Sequence, residues 1–328
     1  MSGPENQNNP RMVYLDQNVL SKMREGDPLA DHLRGILSQL STNGAVFVYS
    51  MIHVDECRVS GQPDAFVRAL DALSAWFIEP CAAGDHSVTL SSGRAEELIL
   101  ASPDISHEAS RRVEDLLKPM DFAMGWLDGV DAAPLREEMV QDIEEFWGAL
   151  EGELPSEMQD WLIEGKRTIL EAMNGMPLEN IRGERNDWFD RIRARLPDNY
   201  AQLDAVPADQ AVEWVFNRLD HAEQEQFENL FPRRFWADVD GREEGSLAGF
   251  AFLLFILGIV RDPRVSKKGR ARREKHFRGQ FRDYQHIEAA SRCAAFITFD
   301  KGAGRLAKAV YAYAGVRTEV ICLEVREF

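Results

Sequence analysis

Asp16, Glu56, Asp283 and Asp300 each fall where an apolar run gives way to helix-forming sequence, or where a helix opens. Asp16 ends Val13-Tyr14-Leu15, Glu56 follows Val46-Phe47-Val48-Tyr49-Ser50, Asp283 lies at an expected helix start, and Asp300 closes Phe296-Ile297-Thr298-Phe299. Parallel α/β sheets carry their reactive groups at the carboxyl ends of strands. Carboxylates gathered there repel one another unless a cation intervenes, and an oxygen-rich set suits hard ions such as Mg²⁺ or Mn²⁺. A carboxylate-held ion lowers the pKa of a bound water and bonds phosphoryl oxygens, so the pattern predicts metal-dependent chemistry on phosphates. Two ions about 4 Å apart would also stabilise the leaving oxygen. Taken singly, an Asp at a strand end is more often a helix cap or turn former. The joint pattern carries the expectation.

Supporting residues lie close by. Asn18 stands two residues after Asp16, Thr298 two before Asp300 on the same strand face, and Ser50 ends the second apolar run. Side chains of this kind orient ligands by hydrogen bonds, and they serve equally well as helix caps. His53 and His286 each stand three residues from a candidate acid, Glu56 and Asp283, which on a helix shares one face. They are expected as polar walls of a cleft that bind phosphate or shuttle a proton, rather than as metal ligands among hard oxygens.

The elements that must position these groups follow from periodicity. Residues 12–16 and Ala45–Tyr49 read as buried strands, Trp76-Phe77-Ile78 as a short one, and Ala295–Phe299 and Thr318–Leu323 as the last two. Between them, helices are expected over Val19–Leu40, from Val54, and over Asp64–Ala75, Asp283–Cys293 and Gly304–Ala314, with Asn43-Gly44 as a turn and Gly315 as a helix stop. The β-α-β-α run predicts an α/β fold with a mainly parallel sheet. The middle reads as helical, with helices over Glu108–Leu127, Ser156–Met173, Glu184–Arg195 and Ala208–Leu230, and Trp126, Trp147, Trp161, Trp188 and Trp214 expected in its core.

Charge is unevenly spread. The net charge is −17, yet residues 261–282 hold ten Lys/Arg against two Asp/Glu, whereas residues 96–160 hold eighteen Asp/Glu against four Lys/Arg. Lys267, Lys268, Arg270, Arg272, Arg273 and Lys275 form a candidate clamp for a nucleic-acid backbone, with pairing to the acidic helices as the competing use. Four cysteines without paired metal spacing suggest free thiols and a reducing, cytoplasmic setting. The polar N-terminus has no signal-peptide core. The longest apolar run, Leu247–Val260, is shorter than the ~20 residues of a membrane span and reads as a buried helix.

Asp283-Tyr284-Gln285-His286-Ile287-Glu288-Ala289-Ala290, followed by Phe296-Ile297-Thr298-Phe299-Asp300, resembles the closing signature of the PIN-domain nucleases. Val13-Tyr14-Leu15-Asp16-Gln17-Asn18 resembles the opening strand of that family, and Ser50-Met51-Ile52-His53-Val54-Asp55-Glu56 its second element, which favours Glu56 over Asp55 as the inward acid. The resemblance covers roughly residues 11–80 and 280–325, and the long middle departs from it. It implies a three-layer α/β/α sandwich, with a discontinuous PIN-like domain at 11–90 and 261–328 and an all-α insertion at 91–260. It also implies an endoribonuclease holding Mg²⁺ or Mn²⁺ on Asp16, Glu56, Asp283 and Asp300, with RNA or single-stranded DNA as substrate. Toxin, defence and processing roles all fit, as does a homo-oligomer or an inhibitory partner protein. Two other readings stay open: a catalytically inactive scaffold and a metal-dependent phosphoesterase of small substrates. The absence of a Gly-rich phosphate loop after the first strand argues against nucleotide-driven chemistry.

Overall fold

The computed structural model describes residues 11–24, 26–60, 62–80, 88–92, 191–192, 194–197, 201–230, 247–260 and 282–324, with 140–141, 144, 148, 163 and 166–167 between them. The chain divides into two compact units, Met1–Ala101 with Ile192–Phe328, and Ser102–Arg191. The first carries a six-stranded sheet. The second is helical at its few described residues.

The strands are β1 (Arg11–Leu15), β2 (Ala45–Tyr49), β3 (Trp76–Pro80), β4 (Val88–Ser91), β5 (Ala295–Thr298) and β6 (Glu319–Cys322), in the order β4-β3-β2-β1-β5-β6. Every pairing is parallel except β3 with β4. The central strands are continuous apolar runs because both of their faces are covered. Val13, Tyr14 and Leu15 are all buried, as are all four residues of β5. One face packs Val13, Leu15, Phe47, Tyr49 and Ile297 against Val19, Leu20, Leu33, Leu37, Phe66 and Leu70. The chain moves outward from β1 to β3, then resumes on the other side of β1 with β5 and β6. The strand order therefore reverses between β1 and β5, and a crevice at such a reversal is where open α/β sheets bind ligands.

Four helices follow the first strands: α1 (Gln17–Lys22), α2 (Ala30–Thr42), α3 (Met51–Val59) and α4 (Pro63–Ala72). The single helix expected over Val19–Leu40 is two. Gly26 takes a left-handed φ of 86°, and Pro28 cannot donate to a continuing helix. The helix expected over Ala208–Leu230 is likewise broken, into a 3₁₀ turn at Ala208–Gln210 and helices Ala211–Phe216 and His221–Leu230. There the Asp220 N–H donates to Glu223 Oε2 (2.9 Å) and the Glu223 N–H to Asp220 Oδ1 (3.0 Å), a reciprocal cap that starts a new helix. The antiparallel edge strand β4 was not expected. The apolar run forms a buried helix, Leu247–Ile256. Among the described residues no helix is long and apolar enough to cross a membrane. Cys57, Cys293 and Cys322 are free thiols.

Helix Lys301–Ala314 follows β5, starts at Asp300 and stops at Gly315 (φ 70°). It is tied to residues 203–206, where Arg305 donates to the carbonyls of Leu203 (2.8 Å), Asp204 (3.2 Å) and Val206 (3.1 Å). Tyr313 also stacks on Phe250 at 4.8 Å. Residues 192–230 and 247–260 therefore cluster with the sheet. In the first turn of this helix, a Cβ on Gly304 would overlap Cys322 Sγ and crowd Thr298 Cγ2. Gly304→Ala is expected to cost about 1–3 kcal/mol by overpacking, seen as a lower urea midpoint. Cys322→Ala in the same chain should recover most of the loss.

Candidate active site

The end of β1 and the end of β5 are joined by side chains. Asp16, 3% exposed, follows β1, and its backbone N–H still pairs with the Ile297 carbonyl (2.9 Å). It occupies the cap position of α1, but its carboxylate makes no cap bond. Oδ2 instead accepts from Asn18 Nδ2 and Thr298 Oγ1, both at 2.5 Å. Asn18 Nδ2 also donates to Thr298 Oγ1 (3.1 Å), and Asn18 Oδ1 accepts from the Phe299 N–H (2.9 Å). Asn18 and Thr298 thus bond the Asp16 carboxylate across the strand reversal. Burial raises the pKa of the Asp16 carboxyl above its ordinary value, and the negative charges of Glu56 and Asp300 add to the rise; His286 and the Thr298 bond oppose it.

Asp300 lies at the end of β5, and its Oδ1 accepts from the Gly302 N–H (2.7 Å) and the Ala303 N–H (3.1 Å). One oxygen of an expected ligand is therefore committed to opening a helix, the ordinary use of an Asp at this position. Glu56 is half-buried and Asp55 exposed. Glu56 Oε2 meets His286 Nε2 at 3.0 Å, and His286 is 1% exposed. On the other side of that ring, Nδ1 is 2.8 Å from the Tyr14 hydroxyl, which is 2.7 Å from Ser50 Oγ. Burial lowers the His286 pKa, but the Glu56 bond and the charges of Glu56 and Asp16 outweigh it and leave the value raised.

Neither histidine lines a cleft wall. His53 is fully buried and serves α3. Its Nδ1 accepts from the Ser50 N–H (3.1 Å), so the proton sits on Nε2, which donates to the Leu15 carbonyl (2.7 Å). Both ring nitrogens are used, which leaves none for a metal or phosphate. Burial, then the charge of His286, push the His53 pKa well below the ordinary value. The two rings, 4.8 Å apart, should consequently titrate in opposite senses about the ordinary value of about 6.5. Histidine NMR should show His286 still protonated above it and His53 still neutral below it. The stability that His286 contributes is fully present below its unfolded pKa and is lost as pH rises through its folded one. The His53 contribution is present above its unfolded pKa and is lost as pH falls through its folded one. Coincident titration of both rings would contradict this assignment.

Asp283 is helical, half-buried and three residues before His286. Among the described residues no three His, Cys, Asp or Glu side chains stand together as ligands of one ion. Lys267, Lys268, Arg270, Arg272, Arg273 and Lys275 lie outside the described residues, as do most of the acidic stretch and Trp126, Trp147, Trp161 and Trp188. Trp214 is described, and the Arg218 guanidinium stacks on it. Tyr14 was missed as a site residue because it reads as one more apolar position in a strand. The available signal was that a buried tyrosine hydroxyl needs a partner.

The chain matches no protein-family model, no curated protein and no solved structure.

Proposed function

We propose that this chain is a metal-dependent nuclease that hydrolyses phosphodiester bonds within RNA, on a PIN-like three-layer frame with an all-α insertion. The observation that carries the reading is Asp16, a carboxylate at the strand reversal that two side chains hold and that burial, with two neighbouring acids adding to it, pushes toward its neutral form. Shifted, buried acids in such a crevice are candidates for function. Such a carboxylate gains most from a cation or a proton donor placed beside it.

The donor chemistry fits Mg²⁺ or Mn²⁺. Three protein ligands are not required, because Mg²⁺ usually takes one or two carboxylates and completes its shell with water and substrate phosphate. Asp16 and Asp300 would hold the ion. When bound it lowers the pKa of a water and bonds the phosphoryl oxygens. Asn18 and Thr298 keep the Asp16 carboxylate oriented. Glu56 raises the pKa of His286 near Asp16, and a charged His286 would temper the repulsion among the acids. Asp283 supports the reading by resemblance alone, as does the preference for RNA. The basic stretch from Lys267 to Lys275 supplies salt-dependent affinity for the backbone.

The test uses end-labelled RNA and DNA of one sequence, with Mn²⁺ and with EDTA. Internal cleavage of RNA that EDTA abolishes is the expected result. A second reading, an inactive binding scaffold, is favoured by the bonds that already engage Asp300 and Glu56. It predicts no cleavage and no rise in melting temperature with Mg²⁺ or Mn²⁺, and that pair of results would end the nuclease proposal.

A further inference from the structure

A cavity of about 310 Å³ lies between the turn after α1, helix α2 and helix α4, and none of its described lining residues belongs to the Asp16–Thr298 cluster at the ends of β1 and β5. Met23, Ala65, Ala69 and Ala72 give it apolar lining, and Arg24, Arg34 and Arg68 give it three guanidiniums. Two of these are held in place by the protein. Arg24 Nε donates to the Ser21 carbonyl (2.9 Å) and Nη1 to Gln62 Oε1 (2.9 Å), with the guanidinium 5.4 Å over the Phe66 ring. Arg34 Nη2 donates to the Met23 carbonyl (2.8 Å) and Nη1 to Asp31 Oδ1 (3.0 Å). A guanidinium has five donors, so each keeps several for a ligand. Arg68 is exposed and makes no hydrogen bond or ion pair among the described residues. No described acid lines the cavity. The Asp31 side chain is 99% exposed, where an ion pair is weak.

Three like charges around one hollow repel each other, and anchored guanidiniums are already ordered for an anion. We infer that this pocket binds a phosphate monoester. The guanidinium fork matches two phosphate oxygens at once. A monoester carries about −1.5 to −2 at neutral pH, against the single charge of a carboxylate or of a backbone diester. The volume stands at the lower end of the roughly 300–1,000 Å³ usual for ligand pockets, suited to a small group rather than a length of strand. The apolar lining receives the organic part of the ester. A free mononucleotide and the terminal phosphate of an oligonucleotide share this chemistry. The site does not depend on the nuclease reading, since an inactive protein would bind the same group.

Titration calorimetry at low salt tests it, with a nucleoside monophosphate, the matching nucleoside, inorganic phosphate, and one oligonucleotide with and without a terminal phosphate. The mononucleotide or the phosphorylated oligonucleotide should bind and weaken with added salt, and the nucleoside should not bind. The tighter of the two binders identifies the source. Arg68→Gln should lower affinity about 10-fold or more at unchanged melting temperature, the scale of a lost charged hydrogen bond. Arg34→Lys, which keeps the charge and loses the fork, should weaken binding by less. Three results would overturn the inference: neither monoester binds, the nucleoside binds as tightly as its monophosphate, or Arg68→Gln retains wild-type affinity.

Discussion

Asp16→Asn should leave a folded protein that is more stable than the wild type at neutral pH and loses about 10²–10³-fold of its Mn²⁺-dependent cleavage, the scale of removing one preorganised electrostatic group. The isosteric amide keeps an acceptor for Asn18 and Thr298 and discards a buried charge. Because burial raises the folded pKa of Asp16 above its unfolded value, its ionised form weighs on the native state at pH 7. Removing that charge should add roughly 1 kcal/mol, a size common for single stabilising changes and paired with lost function when the residue serves a site. The sign is checked by pH. As pH falls through the folded pKa the wild type takes up its proton, the penalty fades, and the two urea curves converge. A variant that is less stable at neutral pH would mean that the hydrogen bonds of Asp16 matter and its charge does not. Undiminished cleavage would remove the β1–β5 crevice as the site.

The second large effect is on stability. His286→Ala should cost about 2–5 kcal/mol, the usual range for truncating a large, fully buried side chain. The deletion leaves Glu56 without its partner and takes one neighbour from the Tyr14 hydroxyl. Replacing Glu56 and His286 together by leucines should recover most of the loss, because paired apolar groups need no partners. A double-mutant cycle by chemical denaturation measures the coupling. A loss below about 1 kcal/mol, the range of exposed pairs, would mean that water reaches this pair and that it holds nothing together.

The sheet was legible because its central strands are buried on both faces and so appear as unbroken runs such as Val46-Phe47-Val48-Tyr49. β4 escaped notice because Val88-Thr89-Leu90-Ser91 is short, polar and at an edge. The Val19–Leu40 segment misled because Leu29, Leu33, Leu37 and Leu40 keep helical spacing only beyond Gly26 and Pro28, where backbone chemistry separates them from Val19 and Leu20. The acids were found in the right order because each trails a strand. Their individual duties were not readable. Ligand and cap have one signature at Asp300. His53 and His286 share the same i, i+3 relation to an acid, yet one caps a helix and the other bonds Glu56. Only the packing of Tyr14 and Leu15 against each ring separates them.

β1 lies between β2 and β5, and the bonded pair Asp16 and Thr298 is 282 residues apart along the chain. At about 5–20 residues per second, a ribosome takes roughly 15–60 s to deliver the second after the first. Throughout that interval one long side of the innermost strand has no neighbour, and an open edge of this kind invites foreign strands. The nascent polypeptide should therefore lean on chaperones, and fragments that stop before Ala295 should precipitate rather than accumulate.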